Sequence, residues 1–102
     1  MSPIARKVLL ALKKIPKDRV TTYGILAEMF NTSPRAVGQI MKRNPDPADC
    51  PCYKVVKSSG EVGGYAGKIK GDKIREKIEK LRKDGIVVEN GMIGRKYFWR
   101  FK

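Results

Sequence analysis

The stretch TTYGILAEMFNTSPRAVGQIMKR, residues 21–43, predicts two short helices separated by a tight polar break. Thr21 or Thr22 can cap the first helix, because a hydroxyl can accept an unpaired N–H of the first turn. Ser33 and Pro34 are typical of a helix start and predict the second helix. Its outer face carries small and basic side chains: Arg35, Ala36, Gln39 and Lys42. Such a pair is typical of a helix-turn-helix, whose second helix faces nucleic acid.

The two helices of this pair are predicted at 23–30 and 34–43. One further helix is predicted before the pair and one after it. Ser2 and Pro3 predict the start of the first helix, with Ile4 on its inner face, and Pro16 ends it. The apolar spacing between 72 and 83 predicts the fourth helix. Its predicted core face is formed by Ile74, Ile78 and Leu81.

The predicted β content is small. Residues 53–56 form a candidate strand, and Asn90 with Gly91 predicts a hairpin turn. The end of the chain, 96–102, alternates basic and aromatic side chains. We interpret these aromatics as core groups rather than as a wing that contacts nucleic acid. The patterns predict one domain, residues 1–102, that is mainly α with small β elements and winged helix-turn-helix-like.

The charge of the chain favours a polyanionic partner. Among 102 residues there are 23 Lys and Arg but 10 Asp and Glu, giving a net charge of +13. Nucleic acid is the simplest partner for such a surplus. We expect no membrane association, because no long apolar run or basic amphipathic anchor is present. Histidine is absent, and two cysteines cannot complete a tetrahedral zinc shell, so we expect no metal and no cofactor.

Two cysteines, Cys50 and Cys52, flank Pro51 in the segment CPCYKVV. This spacing is tight for a structural disulfide, which favours a reducing, intracellular compartment: the cytoplasm, with nucleoid association in a prokaryote. Cys52 alone is ambiguous, because a buried free cysteine is commonly an inert packing group. Nearby cations, such as Lys54, favour a thiolate and support the alternative of a nucleophile.

The order and spacing of several motifs resemble one protein family. The matching elements are RAVG at 35–38, Met41, NP at 44–45, PC at 51–52, VV at 55–56, SSG at 58–60, Gly63 and Tyr65. They are similar to the O6-alkylguanine-DNA alkyltransferases, the methylated-DNA–protein-cysteine methyltransferases. The resemblance extends from Val8 to about Asn90 and concerns the active-site domain of that family, without its common N-terminal domain.

The resemblance implies a single-turnover DNA repair reaction. The family flips a damaged guanine out through the minor groove, and a cysteine thiolate takes the alkyl group from O6. The expected partner is therefore double-stranded DNA that contains O6-alkylguanine, bound by a monomer without a cofactor. Base flipping is physically reasonable for such a lesion, because a damaged base costs less energy to unstack than an intact one. Once flipped, the base needs a close-fitting pocket in the protein.

The resemblance also assigns residue roles. Cys52 is the alkyl acceptor, Arg35 fills the gap left by the flipped base, and Asn44 orders the cysteine loop. Tyr23 assists phosphate rotation and guanine protonation. The DNA-facing group comprises Arg35, Ala36, Gln39, Thr22 and Lys42. The base pocket comprises Met41, Val55, Tyr65 and Ala66, with the backbone carbonyls of Cys52 and Val55 reading the exocyclic amine.

Three positions depart from the family pattern. Tyr53 stands where the family has the histidine that deprotonates the cysteine through a water. Asp84 aligns with the glutamate that orients this histidine, and Ala66 replaces a serine near O6. Since a phenol with a pKa of roughly 10 is a poor base at neutral pH, Tyr53 is expected to order the water instead.

Two alternatives to a transferase remain from the sequence. One is an alkyltransferase-like sensor, which binds O6-alkylguanine without chemistry and recruits excision repair. The other is a plain winged-helix DNA-binding or chromatin protein with an incidental thiol. Cys52 favours the transferase over the sensor, since the usual sensor has no cysteine at this position. The motif PCYKVV and Asn44 disfavour the plain DNA-binding protein.

Overall fold

The computed structural model describes residues 2–64 and 71–101. Its helices follow the predicted order: α1 (Pro3–Leu12), α2 (Tyr23–Met29), α3 (Pro34–Lys42) and α4 (Asp72–Lys83). A short parallel sheet joins β1 (Thr21–Thr22) to β2 (Val55–Val56). The predicted fold class, mainly α with small β elements and like a winged helix-turn-helix, is confirmed.

Hydroxyl side chains begin the first three helices. Ser2, Thr22 and Ser33 each accept the backbone N–H of the residue three positions ahead, at 3.0–3.2 Å. Each such cap typically contributes about 1 kcal/mol. The cap of α2 is therefore Thr22 rather than Thr21.

The sheet positions the cysteine segment beside α2. Thr21 pairs with Val55 and Thr22 with Val56, and all four side chains are 0–2% exposed. Since β1 leads directly into α2 and β2 directly follows the 3-10 helix Cys52–Lys54, this pairing brings Cys52 close to the start of α2.

The buried side chains form two neighbouring clusters. The first packs α1, α2 and α3 around Cys50 and Cys52. The second packs α4 against the segment 86–97. Tyr53 and Ile74 contact both clusters, so the residue after Cys52 lies at their boundary.

The aromatic C-terminal segment packs on this core. The N–H of Val20 donates to the Tyr97 carbonyl at 2.8 Å, and the N–H of Trp99 donates to the Val20 carbonyl at 2.7 Å. Tyr97 is buried, while Phe98, Trp99 and Phe101 are half-buried against the two clusters. The interpretation of these aromatics as core groups is therefore supported.

The predicted turn at residues 90 and 91 is present. Asn90 and Gly91 have φ values of 52° and 72°, and Glu89 and Met92 exchange hydrogen bonds of 2.9 and 3.1 Å across them. Positive φ at both central residues is the geometry that favours Asn-Gly. Glu89 and Met92 form an isolated bridge here rather than part of an extended hairpin.

Three local predictions were wrong. Ile4 and Met29, each expected from helical spacing on the inner face of its helix, are 36% and 48% exposed, because each lies in a terminal turn of its helix that the rest of the core does not cover. The candidate strand 53–56 is shorter, since residues up to Lys54 form the 3-10 helix. The reason is that Lys54 turns inward, where its Nζ donates to the carbonyls of Pro16 and Lys17 at 2.6 and 2.8 Å.

Candidate functional site

Cys52 begins the 3-10 helix and lies in the first buried cluster, where its side chain is 7% exposed. The preceding Pro51 has φ −75° and ψ 78°, and the N–H of Cys52 donates to the Cys50 carbonyl at 2.8 Å. These values define an inverse γ-turn. The turn fixes the direction in which the chain reaches the thiol.

Asn44 holds this turn in place. Its Nδ2 donates to the Cys50 carbonyl at 2.8 Å, and its Oδ1 accepts the N–H of Asp46 at 3.0 Å. The backbone N–H of Asn44 itself donates to the Met41 carbonyl at the end of α3, at 3.2 Å. One side chain therefore connects α3 to the cysteine loop, which suits the loop-ordering role that the resemblance implies.

Tyr53 and Asp84 form a hydrogen-bonded pair across the boundary of the two clusters. The phenol O–H donates to Asp84 Oδ2 at 2.5 Å, and Lys54 Nζ lies 3.7 Å from the same oxygen. Burial lowers the pKa of Lys54, while Asp84 acts in the opposite direction. The carboxylate that aligns with the family's glutamate thus binds the side chain directly after Cys52.

Lys77 lies fully buried behind the strand that follows Cys52. Its Nζ donates to the carbonyls of Val55 at 2.7 Å and Gly64 at 3.0 Å, and also to that of Val62. Three acceptors match the three hydrogens of an ammonium group. Through this one side chain, α4 is connected to β2 and to the loop that follows it.

The electrostatic environment of Lys77 includes the candidate acceptor. Burial lowers the pKa of Lys77 to about 7, and the negative charge of a Cys52 thiolate acts in the opposite direction. The Nζ atom also lies 6.0 Å from the ring centroid of Tyr23. The Lys77 ammonium and the Cys52 side chain are therefore close enough to interact electrostatically.

Lys77 was missed by the sequence-based prediction. The predicted core face of α4 contains Ile74, Ile78 and Leu81, and position 77 falls on the same face because these four positions are spaced i, i+3, i+4 and i+7. The signal was therefore a lysine inside an apolar stripe. It is easily overlooked in a chain whose many lysines are explained by a polyanionic partner.

Tyr23 opens α2 and is half-buried next to this group. Burial raises the pKa of Tyr23 to about 12, with a further contribution from Cys52, so the phenol keeps its proton at neutral pH. Gly63 passes close to the ring with φ 74°, and a Cβ at this position would lie 3.4 Å from a Tyr23 ring carbon. Gly63 therefore suits both the backbone conformation and the close approach to Tyr23.

The outer face of α3 carries most of the predicted DNA-facing residues. Arg35, Gln39 and Lys42 are exposed and Ala36 is half-buried. Thr22 is the exception, because it is 2% exposed and its hydroxyl caps α2. This burial argues against the DNA-facing position that was expected for Thr22.

The predicted base pocket is described only in part. Met41 and Val55 are buried in the same cluster as Cys52, whereas Tyr65 and Ala66 lie outside the described residues. The Val55 carbonyl accepts from the buried ammonium, and the Cys52 carbonyl accepts the N–H of Val55. A carbonyl oxygen has two lone pairs, so these contacts are compatible with a further donor at each carbonyl.

Two features of the described residues concern metal binding and membrane association. Across 2–64 and 71–101, no group of three or more His, Cys, Asp or Glu side chains could hold a metal ion. In the same part of the chain, no helix is both long enough and apolar enough to cross a membrane.

The lowered pKa of Lys77 predicts a pH-dependent stability. An unfolded lysine has a pKa near 10.5, so above pH 7 the unfolded chain binds this proton more tightly than the folded chain. The free energy of unfolding should therefore rise from about pH 7 to about pH 9 and fall as the pH is lowered towards 7. Free energies of unfolding, measured by urea titration at several pH values in this range, should rise less steeply with pH in Lys77→Met than in the unsubstituted chain. An equal rise with pH in both chains would contradict the prediction.

A family model for the DNA-binding domain of 6-O-methylguanine DNA methyltransferase matches residues 3–86. This match includes Cys52, Tyr53 and Asp84, together with the whole helix-turn-helix. The chain belongs to this family. The family resemblance expected from the motifs is thereby confirmed.

Individual members of the methyltransferase family support the same conclusion. The methylated-DNA–protein-cysteine methyltransferase of Pyrobaculum aerophilum is 51% identical over 72 residues, covering 71% of this chain and 47% of the relative. The crystal structure of O6-methylguanine-DNA methyltransferase from Pyrococcus kodakaraensis has a TM-score of 0.73 at 42% identity, covering 84% of this chain and 48% of that one. The chain therefore spans about half the length of these two relatives.

A second solved structure overlaps with nearly the whole of this chain. ATL from S. pombe in complex with DNA has a TM-score of 0.79 at 26% identity, covering 99% of this chain and 98% of that one. The match extends past residue 86, where the family model ends. The arrangement of α4 and the aromatic C-terminal segment is thus found in a protein of similar length.

Proposed function

We propose that this chain is a DNA repair protein that transfers an alkyl group from O6-alkylguanine in double-stranded DNA to its own Cys52, once per molecule. The observation that carries this proposal is that the Cys52 segment is held on both sides. Asn44 binds the carbonyl of Cys50 before it, and Lys77 binds the carbonyl of Val55 after it. A nucleophile positioned in advance gains rate because little orientation remains to be lost in the reaction.

The proposed step is an in-line displacement on a base that has been flipped out of the duplex. The Cys52 thiolate attacks the alkyl carbon, the S–C bond forms, and the C–O bond breaks with its electron pair left on the guanine. A proton from the Tyr23 phenol then neutralises the guanine, and solvent restores the proton to Tyr23. The thioether product is stable, which limits each molecule to one reaction.

Thiolate formation is assigned to two neighbouring groups in the absence of histidine. Lys77 supplies a buried positive charge that favours the thiolate. The Tyr53 O–H donates a hydrogen bond to Asp84, and a phenol oxygen can also act as an acceptor for a water. We assign to Tyr53 the ordering of a water that receives the thiol proton, as the sequence-based interpretation expected.

The proposed DNA contact is the outer face of α3. Arg35, Ala36, Gln39 and Lys42 lie on this face, and the small Ala36 allows a close approach to a groove. The net charge of +13 supplies the attraction to phosphates that does not depend on sequence. We assign the chain to the active-site domain of its family, acting as a monomer.

The test of this proposal is the intact mass of the protein after incubation with a duplex that contains O6-methylguanine. The expected gain is the mass of one methyl group per chain, located at Cys52 by peptide mapping. A duplex with ordinary guanine is the control and should leave the mass unchanged. No gain in mass at any pH would exclude the transferase.

A lesion sensor without transfer activity is the second candidate. The near-complete overlap with S. pombe ATL, whose structure contains DNA, is compatible with binding alone, and the presence of Cys52 opposes this candidate. Selective binding of O6-methylguanine duplexes without any mass gain would assign the protein to this class. Equal binding of damaged and undamaged duplexes would leave only a general DNA-binding function.

The substitution Tyr53→His is expected to accelerate methyl transfer near neutral pH by about tenfold or more, because an imidazole is a far better base than a phenol. Tyr53→Phe is the matched control, since it keeps the ring but loses the hydrogen bond to Asp84, and should slow transfer. Single-turnover rates at pH 7 measure both effects. A faster Tyr53→Phe variant would contradict the assigned role.

Arg35→Ala is expected to reduce repair more than DNA affinity. One exposed cation supplies little of the attraction to phosphates, whereas the stack vacated by a flipped base has to be filled by a specific group. Lys42→Ala is the matched control, because Lys42 is an exposed cation at the other end of the same helix. The two effects are separated by measuring the rate of methyl transfer and the affinities for duplexes with and without O6-methylguanine. An equal loss of transfer rate in Arg35→Ala and Lys42→Ala would contradict the prediction.

A further inference from the structure

Two thiols lie at the two ends of a single tight turn in this structure. Cys50 and Cys52 are both free, and the turn at Pro51 closes through the hydrogen bond from the Cys52 N–H to the Cys50 carbonyl. The reaction proposed above uses Cys52 and leaves Cys50 without a role. The turn raises the question of whether the two sulfur atoms can join.

The inverse γ-turn shortens the distance between the two cysteines. Consecutive Cα atoms are about 3.8 Å apart, so an extended triplet would separate residues 50 and 52 by about 7 Å. The bend at Pro51 shortens this separation towards the roughly 4.4–6.8 Å found for disulfides. The spacing that disfavoured a structural disulfide from the sequence is therefore no barrier in this backbone conformation.

The surroundings of the two thiols suit a reactive pair. Both side chains belong to the same buried cluster and retain small exposed fractions, 9% for Cys50 and 7% for Cys52. Asn44 holds the carbonyl between them in place. The pKa of Cys50 is raised, first by burial and then by the carboxylates of Asp49 and Asp46, so Cys50 remains a thiol at neutral pH.

We propose that Cys50 is a resolving cysteine that forms a reversible disulfide with Cys52 when the protein meets a peroxide. The Cys52 thiolate attacks one peroxide oxygen, and hydroxide leaves, which gives a sulfenic acid. The sulfur of Cys50 then attacks the sulfur of Cys52. The S–S bond forms, the S–O bond breaks, and the Cys50 proton leaves with the hydroxyl group as water.

This disulfide would close the acceptor site reversibly. A ring of this small size is strained, and strained disulfides are the readily reduced, regulatory ones. Methyl acceptance would stop while the bond exists, a consequence that rests on the proposed function. The bond would also prevent further oxidation of Cys52 to the sulfinic acid, which is irreversible without a dedicated enzyme.

The test treats the full chain with one equivalent of hydrogen peroxide, denatures it in N-ethylmaleimide and measures the intact mass. The expected product is lighter by two hydrogen atoms and carries no maleimide, and dithiothreitol restores two reactive thiols. In Cys50→Ser, the same treatment should add oxygen to Cys52 instead. Oxygen on Cys52 in the unsubstituted chain with Cys50 still reactive, or a disulfide-linked dimer, would overturn the proposal.

A parallel assay of methyl transfer distinguishes the two proposals. The reduced chain and Cys50→Ser should accept methyl equally. After excess peroxide, dithiothreitol should restore methyl transfer to the unsubstituted chain but not to Cys50→Ser, whose Cys52 is oxidised further to the irreversible sulfinic acid. Disulfide formation in a chain that never accepts methyl would refute the transferase and leave the redox site standing. Methyl transfer in a chain that forms no such disulfide would refute the redox site alone.

Discussion

Cys52→Ala is expected to abolish methyl uptake from O6-methylguanine DNA and to leave damaged-DNA binding nearly intact. The sulfur atom is the only part of the acceptor that forms the new bond. The walls around it, including Met41 and Val55, and the exposed cations of α3 are unchanged by the substitution. The affinity for the damaged duplex should therefore stay within about fivefold, or roughly 1 kcal/mol.

Mass spectrometry and a binding titration on the same duplex measure the two effects of this substitution. Cys50→Ala is the matched control, because it removes a thiol from the same turn and should still accept one methyl group. Methyl uptake by Cys52→Ala, or a methyl group found on Cys50, would refute the assignment of the acceptor. If Cys52→Ala loses DNA binding as well as methyl uptake, the thiol is also needed for the structure of the pocket.

Lys77→Met is expected to lower the free energy of unfolding by about 3–5 kcal/mol at pH 7. Methionine has a similar length but donates no hydrogen bond, so the carbonyls of Val55, Val62 and Gly64 each lose a donor. A buried carbonyl left without a partner typically costs about 1–3 kcal/mol. Because small domains are stable by only about 5–15 kcal/mol, this single change brings the chain close to unfolding.

Urea unfolding followed by Trp99 fluorescence measures the effect of Lys77→Met. Lys73→Met is the matched control on the same helix, because the Lys73 side chain is 53% exposed and pairs with Glu76 at the surface. The control should change stability by no more than about 0.5 kcal/mol. Similar losses in the two variants would show that the three carbonyls do not depend on the Lys77 ammonium.

Helix positions and turns could be predicted from the sequence because their signals are local. Ser2 and Ser33 each precede a proline and cap the helix that follows, and the prediction of α4 matches its observed bounds, Asp72–Lys83. The turn at Asn90 and Gly91 is equally local, since two consecutive residues of positive φ favour this dipeptide. Each of these signals acts over four residues or fewer, so no distant contact can easily override it.

The acceptor and its immediate neighbours were also indicated by the sequence, through the spacing of family motifs. Cys52, Tyr53 and Asn44 lie within nine positions of one another, and the structure keeps them together. The side chains that interact with these residues were harder to predict from the sequence. The hydrogen bond between Tyr53 and Asp84 spans 31 positions and was expected only through the alignment of Asp84 with a family glutamate.

Only the tertiary structure decided which polar groups face the core. Periodicity placed position 77 on the inner face of α4, but not the three carbonyls that surround its ammonium, which come from a strand and a loop 13–22 positions earlier. Thr22 shows the converse, since a residue expected to contact DNA is buried as a helix cap. A sequence pattern specifies which side of an element turns inward, whereas the atoms that meet it there depend on how distant segments pack.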